Sequence, residues 1–362
     1  MLLSGGSLVG HNVLQTLAGR RDGIVLAATN SVADAPRLFE FDKAFLVPRL
    51  SDVTPDVFAE RFWQILEQLD PDLVIPCRDE DVAFLAEQAL RHTDWQGRFL
   101  CGNADVAKAM LDKMDSATFS LRHRLPFAPT LDVADGIEAA LVFVRDNGFP
   151  VIAKPRRGFA SRGVRLLVDE EQVRNACMDP GYILQKYYGD AAPALCYIDD
   201  LAEKGIALFQ SLEEVKLSLQ ACIARDGRVA RWLATGNTMR QGRSEQVDRY
   251  DDAELLSLAH AWAGVFAAAG WRGPLNIQCQ RASDGSLGIY EYNGRFTGAT
   301  AARWLLGFDE VGWTLRDWLG IVLPVSSGHY ETSESVVNLP YGQTVACEDA
   351  DRLRRTGYWE RS

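Results

Sequence analysis

The sequence predicts an α/β protein: an open parallel sheet in its N-terminal third, then an α+β region built on antiparallel hairpins. Three observations carry this. Short apolar runs alternate with helical periodicity up to about residue 110, a strand ending at Lys154 leads into a loop with two glycines, and residues 273–298 read as a hairpin rich in oxygen side chains. Parallel strands need helical crossovers, whereas antiparallel strands close through short turns.

In the first block, residues 1–3 and 24–28 are apolar runs of strand length, with residues 9–17 helical between them. Further strands are expected at 73–76 and 99–101, and helices at 58–69 and 81–90. The first turn holds Gly5, Gly6 and Gly10, and the next strand ends at Thr29 and Asn30 without the acidic residue that a dinucleotide ribose requires. These glycines are therefore expected to let the strand turn closely into its helix, beside at most a small ligand. The block is a Rossmann-like domain over residues 1–110.

A helical linker at 105–121 leads to Pro126 and Pro129, which mark a boundary. Strands at 151–154, 164–167 and 182–185 define a small lobe over 111–190. A second lobe over 191–327 contains an inserted loop with weak strand character at 191–205, a helix at 253–269, and the hairpin strands 276–280 and 288–293 around a turn at Ser283, Asp284 and Gly285. Residues 328–362 form an extension with one apolar run at 336–339, expected as a final strand plus a tail.

Side chains alternate along a strand, so Glu291 and Asn293 share a face, and Gln278 lies on the partner strand. Hard oxygen donors suit Mg²⁺, which commonly takes only one or two protein carboxylates and leaves other positions to water and phosphate. Arg295 follows closely enough to meet phosphate oxygens. Taken alone, the segment is equally an ordinary hairpin with a polar face. The loop after Lys154 bears on that choice. Gly158 and Gly163, with Ser161 between them, allow backbone N–H groups to close on an anion, and Lys154 adds a point charge. Arg156, Arg157, Arg162 and Arg165 add further cations. The order differs from a Walker loop because no helix follows, and a plain hairpin loop with solvated arginines is the alternative.

The formal net charge of −11 argues against non-specific binding to nucleic acid or an anionic membrane. Seven scattered cysteines without a C-x-x-C pair suggest reduced thiols, and five dispersed histidines indicate no zinc site. The N-terminus lacks a basic segment followed by an apolar core, and no run approaches the roughly 18 apolar residues of a membrane span. A cytoplasmic location is expected.

Together these motifs resemble the ATP-grasp superfamily, in particular one synthetase unit of the carbamoyl phosphate synthetase large subunit and related carboxylate–amine ligases. The resemblance runs from the first glycine turn to about Leu323. It includes the strand ending at Pro76 and followed by Asp79 and Glu80, and the pair Asp112-Lys113 ahead of Pro126 and Pro129. It implies that Lys113 and Lys154 meet nucleotide phosphate, that residues 158–163 form a mobile loop over it, and that Gln185, Lys186 and Tyr188 receive adenine, partly through backbone groups. It further implies Glu214 near the ribose, Mg²⁺ on Gln278, Glu291 and Asn293 with Mn²⁺ as the substitute, and catalytic roles for Arg295 and Lys154. Gly294 departs from the family's usual proline, which is expected to loosen that turn.

The activity implied is ATP-dependent activation of a carboxylate as an acylphosphate and its capture by an amine. With one ATP-grasp unit, a stand-alone amino-acid or peptide-like ligase fits better than carbamoyl phosphate synthesis. A phosphotransferase and a nucleotide-binding regulatory or assembly protein remain alternatives. Expected partners are a small carboxylate and a small amine, with a homodimer as the candidate assembly, and neither nucleic acid nor membrane.

Overall fold

The computed structural model describes residues 1–35, 37–158, 162–205, 215–240, 243–282, 284–324, 335–338 and 347–361. Its first part contains β1 (Leu2–Leu3), α1 (Leu8–Leu17), β2 (Ala27–Asn30), β3 (Lys43–Leu46), α2 (Pro55–Leu69), β4 (Ile75–Pro76) and α3 (Asp79–Arg91). The four strands are parallel in the order β3-β2-β1-β4. The glycine turn works as a close-packing device. A β-carbon on Gly10 would overlap the Gly5 carbonyl, and one on Gly5 would sit 2.7 Å from Ala28 Cβ, so α1 can lie tightly over the strand ends only with glycine at these positions.

Several local expectations are corrected here. Strand β2 begins at Ala27, so residues 24–26 lie outside it, and residues 99–101 form only a single bridge from Phe99 to Val74 instead of a strand. Strand β3 is an element the periodicity does not announce. The linker is two helices, α4 (Ala104–Leu111) and α5 (Lys113–His123), broken at Asp112. Asp112 adopts an extended conformation, and its carboxylate accepts from the Met114 and Asp115 N–H groups, so it caps α5 and ends the continuous helix.

The small lobe comprises β5 (Thr130–Asp132), α6 (Ile137–Asn147), β6 (Val151–Pro155), β7 (Arg165–Leu167), α7 (Glu170–Ala176) and β8 (Tyr182–Lys186). Its antiparallel sheet has the order β5-β8-β6-β7, and α6 and α7 cover one face through Ala140, Val144 and Val173. Residues 191–205 are corrected from a loop to α8 (Ala192–Lys204). Pro193 lies in its first turn, where the missing N–H has no helical partner to lose.

The larger sheet is built from β9 (Val215–Ile223), β10 (Val229–Arg240), β11 (Arg243–Arg249), α9 (Ala253–Ala268), β12 (Gly273–Arg281) and β13 (Leu287–Asn293). Then follow α10 (Thr300–Leu305), α11 (Glu310–Leu319), β14 (Ser335–Val337), α12 (Cys347–Thr356) and β15 (Tyr358–Glu360). This sheet is antiparallel, β13-β12-β9-β10-β11-β14, while β15 returns to pair antiparallel with β3 at the edge of the first sheet. One buried cluster joins Phe62, Ile65 and Phe99 of the N-terminal part to Phe266, Trp271 and Tyr292 beside the hairpin, so both walls of the cleft share a core. Among the described residues no helix is long and apolar enough to cross a membrane.

Candidate active site

The three sheets enclose a cleft of about 960 Å³. Lys113 from α5, Lys154 from β6, Gln185 and Lys186 from β8, and Glu291 from β13 all line it. So do Gly158, Tyr188, Gln278, Asn293 and Arg295. Gly163 lies in the loop after β6, while Ser161 and Glu214 fall outside the described residues.

Register puts the hairpin donors together. Gln278 stands opposite Glu291, and Asn276 opposite Asn293, with a β-bulge just after Gln278. Asn276 donates to Ser218 Oγ at 2.7 Å, and Arg295 Nη2 donates to Asn293 Oδ1 at 2.9 Å. An amide oxygen has two lone pairs, so Asn293 Oδ1 retains one after Arg295 is bound. The donors are hard oxygens with a single carboxylate, a chemistry suited to a cation that completes its shell with water and phosphate. Among the described residues no group of three His, Cys, Asp or Glu side chains gathers to hold a metal on its own.

Lys154 is buried and donates to the Tyr290 carbonyl at 3.1 Å. Burial pushes its ammonium down to about 7, Glu291 draws it up, and Lys113 and Lys216 push it further down. Lys216 was not among the expected residues. The signal was the alternation of Lys216, Ser218 and Gln220 in β9, which sets three polar side chains on one face.

The loop arginines are partly corrected. Arg156 Nε donates to Asp112 at 3.1 Å, its Nη1 to Asp132 at 2.5 Å, and Arg157 Nε reaches Asp112 at 3.4 Å. Burial alone would raise the Asp112 carboxyl, but the Arg156 guanidinium and the Met114 and Asp115 N–H groups hold it below the usual carboxylate range. Arg156 thus clamps the loop base to the helix bearing Lys113, whose own N–H donates to the Arg156 carbonyl at 3.0 Å. Arg165 stacks its guanidinium over Tyr182, 5.3 Å from the ring centre. Gly163 has φ +74°, and a β-carbon there would meet the Tyr182 hydroxyl at 2.7 Å, which fixes glycine at this turn.

In the segment expected to receive adenine, Gln185 Nε2 donates to Thr130 Oγ1 at 2.9 Å, and the Lys186 N–H is taken by the Pro129 carbonyl at 2.9 Å. The Tyr188 N–H has no acceptor among the described residues. Tyr188 packs against Gly288, where a β-carbon would lie 2.5 Å from the ring, and the Lys186 ammonium stands 5.3 Å from the same ring. Arg295 is turned toward the N-terminal sheet, donating to Asp79 at 2.7 Å.

No protein-family model matches the chain. Its structure is similar to that of N5-carboxyaminoimidazole ribonucleotide synthetase from Thermus thermophilus, with a TM-score of 0.63 at 20% identity over 91% of this chain and 80% of that one. The chain has the ATP-grasp fold. The same ATP-grasp likeness extends to the biotin carboxylase domain of Hydrogenobacter thermophilus 2-oxoglutarate carboxylase, crystallised with MgADP, ADP and bicarbonate. There the TM-score is 0.63 at 17% identity, over 90% of this chain and 70% of that one. A curated relative, the formate-dependent phosphoribosylglycinamide formyltransferase of Haloquadratum walsbyi, is 23% identical over 176 residues. That match covers 49% of this chain and spans 41% of the relative's length.

Proposed function

We propose that this protein is an ATP- and Mg²⁺-dependent ligase that activates a carboxylate as an acylphosphate and joins it to an amine. The observation that carries this reading is the convergence of Lys113, Lys154 and Lys216 on the face of the sheet that presents Gln278, Glu291 and Asn293. Phosphoryl transfer needs positioning and neutralisation of charge more than covalent help from the protein. Three ammonium groups supply neutralisation from one side, and Arg295 supplies it from the other.

A carboxylate oxygen of the acid attacks the γ-phosphorus, the bond to the β,γ-bridging oxygen breaks, and ADP leaves. The amine nitrogen then attacks the acyl carbon, phosphate departs with the C–O electrons, and the nitrogen's proton passes to solvent. Lys154 adds its charge where the γ-phosphate lies, and the incoming anion restores the protonation that burial disfavours. The clamp of Arg156 on Asp112 keeps Lys113 and the loop base in one frame. Gly158 and Arg162, at the edges of the loop after β6, line the same cleft, and residues 159–161 between them lie outside the described residues. Mg²⁺, held through Gln278, Glu291 and Asn293, supplies charge neutralisation at the phosphates when bound with the nucleotide, and Mn²⁺ is expected to substitute.

The test is an ADP-release screen with pooled carboxylates and amines, followed by mass analysis of the products. An amide mass that requires both substrates supports the reading. A phosphorylated product formed without any amine would point to a phosphotransferase, and tight MgATP binding with no ADP release across the panel would point to a regulatory protein.

A further inference from the structure

An ion pair that neither lines the cleft nor reaches solvent is bonded to the turn that carries Arg295. The side chains of Arg303 in α10 and Glu310 in α11 are fully buried, and neither residue is among those lining the cleft. Arg303 Nε and Nη2 donate to Glu310 Oε1 at 3.0 and 2.6 Å. Thr300 Oγ1 donates to the same oxygen at 2.7 Å, and Gln220 Nε2 donates to Glu310 Oε2. Such pairs contribute little net stability, because taking two charges out of water costs about what their attraction returns. Two further polar atoms, Arg303 Nη1 and Gln220 Oε1, are buried with no hydrogen-bond partner among the described residues. Stability is therefore a poor explanation of the cluster, and its bonds to the cleft wall are a better one.

Those bonds hold the segment 293–297 from both ends. At one end Arg303 Nη2 donates to Thr297 Oγ1 at 3.0 Å, and the Thr297 N–H donates to Thr300 Oγ1 at 3.0 Å. Thr297 itself lines the cleft. At the other end Asn293 Nδ2 donates to Asn276 Oδ1 at 3.5 Å, and Asn276 Nδ2 donates to Ser218 Oγ at 2.7 Å. Ser218 and Gln220 occupy alternate positions of β9 and share a face. The segment is thus anchored at both ends to one strand, with Arg295 midway.

We propose that Arg303 and Glu310 are positioning residues that hold Arg295 where it meets the transferring phosphoryl group. The role rests on the ligase reading, which supplies that group. Asp79 and Asn293 bond the tip of the Arg295 side chain, and they orient it only if its backbone stays in place. The hold of Arg303 on Thr297 fixes that backbone from the side away from Asn293. Stabilising a transferring phosphoryl group depends on charge held in place beforehand, so slack here slows transfer without weakening ground-state binding of the nucleotide.

The test compares Thr297→Val with the double variant Arg303→Met/Glu310→Gln. The double variant removes both charges together and keeps an amide for Gln220 and Thr300 to bond, so the hold on Thr297 is what it loses. In each, kcat for ADP formation should fall by about 10- to 100-fold, while the KM for ATP and the calorimetric affinity for MgAMPPNP stay as in the wild type. Affinity for MgADP–aluminium fluoride, a mimic of the transferring phosphoryl group, should fall by the same factor as kcat. Thr297→Val added to the double variant should cost nothing more, since the same hold is already gone. Wild-type kcat in either folded variant, equal losses of MgAMPPNP and aluminium fluoride affinity, or losses that multiply on combination would overturn the assignment and leave the ligase reading intact. Should the double variant not fold, Thr297→Val alone decides between these outcomes. Absence of ADP formation by the wild type across the acid and amine panel would remove the ligase reading, and this role with it.

Discussion

Arg295 donates to the Asp79 carboxylate at 2.7 Å across 216 residues of sequence, and the same nitrogen donates to Asn293 Oδ1 at 2.9 Å. One guanidinium therefore joins the first turn of α3 to the end of the hairpin that presents Gln278, Glu291 and Asn293. Burial opposes the charge on Arg295, but the Asp79 carboxylate, with Glu291 behind it, holds the group above its ordinary range.

Asp79→Ala leaves that guanidinium in a largely buried wall without its hydrogen-bonded carboxylate. The expected loss is about 1.5–3 kcal/mol, the scale of a hydrogen bond to a charged group, read as a lower urea midpoint with unchanged slope. Turnover should fall while the KM for ATP changes little, because Asp79 orients Arg295 and does not itself meet the nucleotide. A variant with wild-type midpoint and turnover would show that the pair does nothing.

Lys154 offers a separation of stability from activity. Its pKa in the folded protein, about 7, lies below the ordinary 10.5, so the charged form is disfavoured by folding. The penalty is present in full below about pH 7 and fades as pH rises toward the unfolded value. Lys154→Met should therefore raise the thermal midpoint more at about pH 6 than at about pH 9, and it should abolish ATP turnover. In the wild type, MgATP binding near neutral pH should take up protons, detected as a dependence of calorimetric heat on buffer ionisation enthalpy. Equal shifts in midpoint at both pH values would contradict the burial argument.

Glu291 is the one carboxylate among Gln278, Glu291 and Asn293. With two neutral partners, metal affinity should depend on the nucleotide, and Mg²⁺ titrated into the free protein should give no binding heat. Glu291→Gln keeps the shape and removes the charge, so turnover should drop by at least about 100-fold with the fold intact. Strong Mg²⁺ binding without ATP, or near-normal turnover in the variant, would displace Glu291 from this role.

The legible parts of the fold are those with a local pattern. Alternation exposes β12 and β13, and the glycine pair with Lys154 exposes the loop after β6. The segment KAFL of β3 begins with a charge and is only four residues long, so nothing local separates it from a loop. Helix α8 reads as a loop because Pro193 resembles a breaker until its place in the first turn is known. In the site, Lys154, Gln278, Glu291 and Asn293 stand out by type and spacing, but the hairpin alone reads equally as a polar face, and the roles expected of them come from the resemblance. Lys216 shows only as part of an alternating polar face, and its place beside Lys154, like that of Asp79 beside Arg295, depends on which strands and helices meet across the cleft. Arg156 and Arg157 mislead for the same reason: a basic loop looks phosphate-binding until Asp112 and Asp132 are seen to occupy it.

Gly294 gives a last test, of packing beside the site. A proline or any side chain here is excluded by what surrounds it: a β-carbon would lie 2.5 Å from Trp271 Cζ2 and 2.6 Å from Met110 Cε. Trp271 is fully buried and its indole N–H donates to the Pro274 carbonyl at 3.0 Å, so the ring cannot swing aside cheaply. The turn is thus filled by Trp271 and is not loosened by the glycine. Gly294→Ala should cost about 1–3 kcal/mol by overpacking. Trp271→Phe alone should also destabilise, through a cavity and an unpaired carbonyl. Combined, the added methyl occupies space the smaller ring vacates, and the double variant should be more stable than the sum of the single losses by at least about 0.5 kcal/mol. Strict additivity in urea denaturation would mean that the ring and the glycine do not constrain each other.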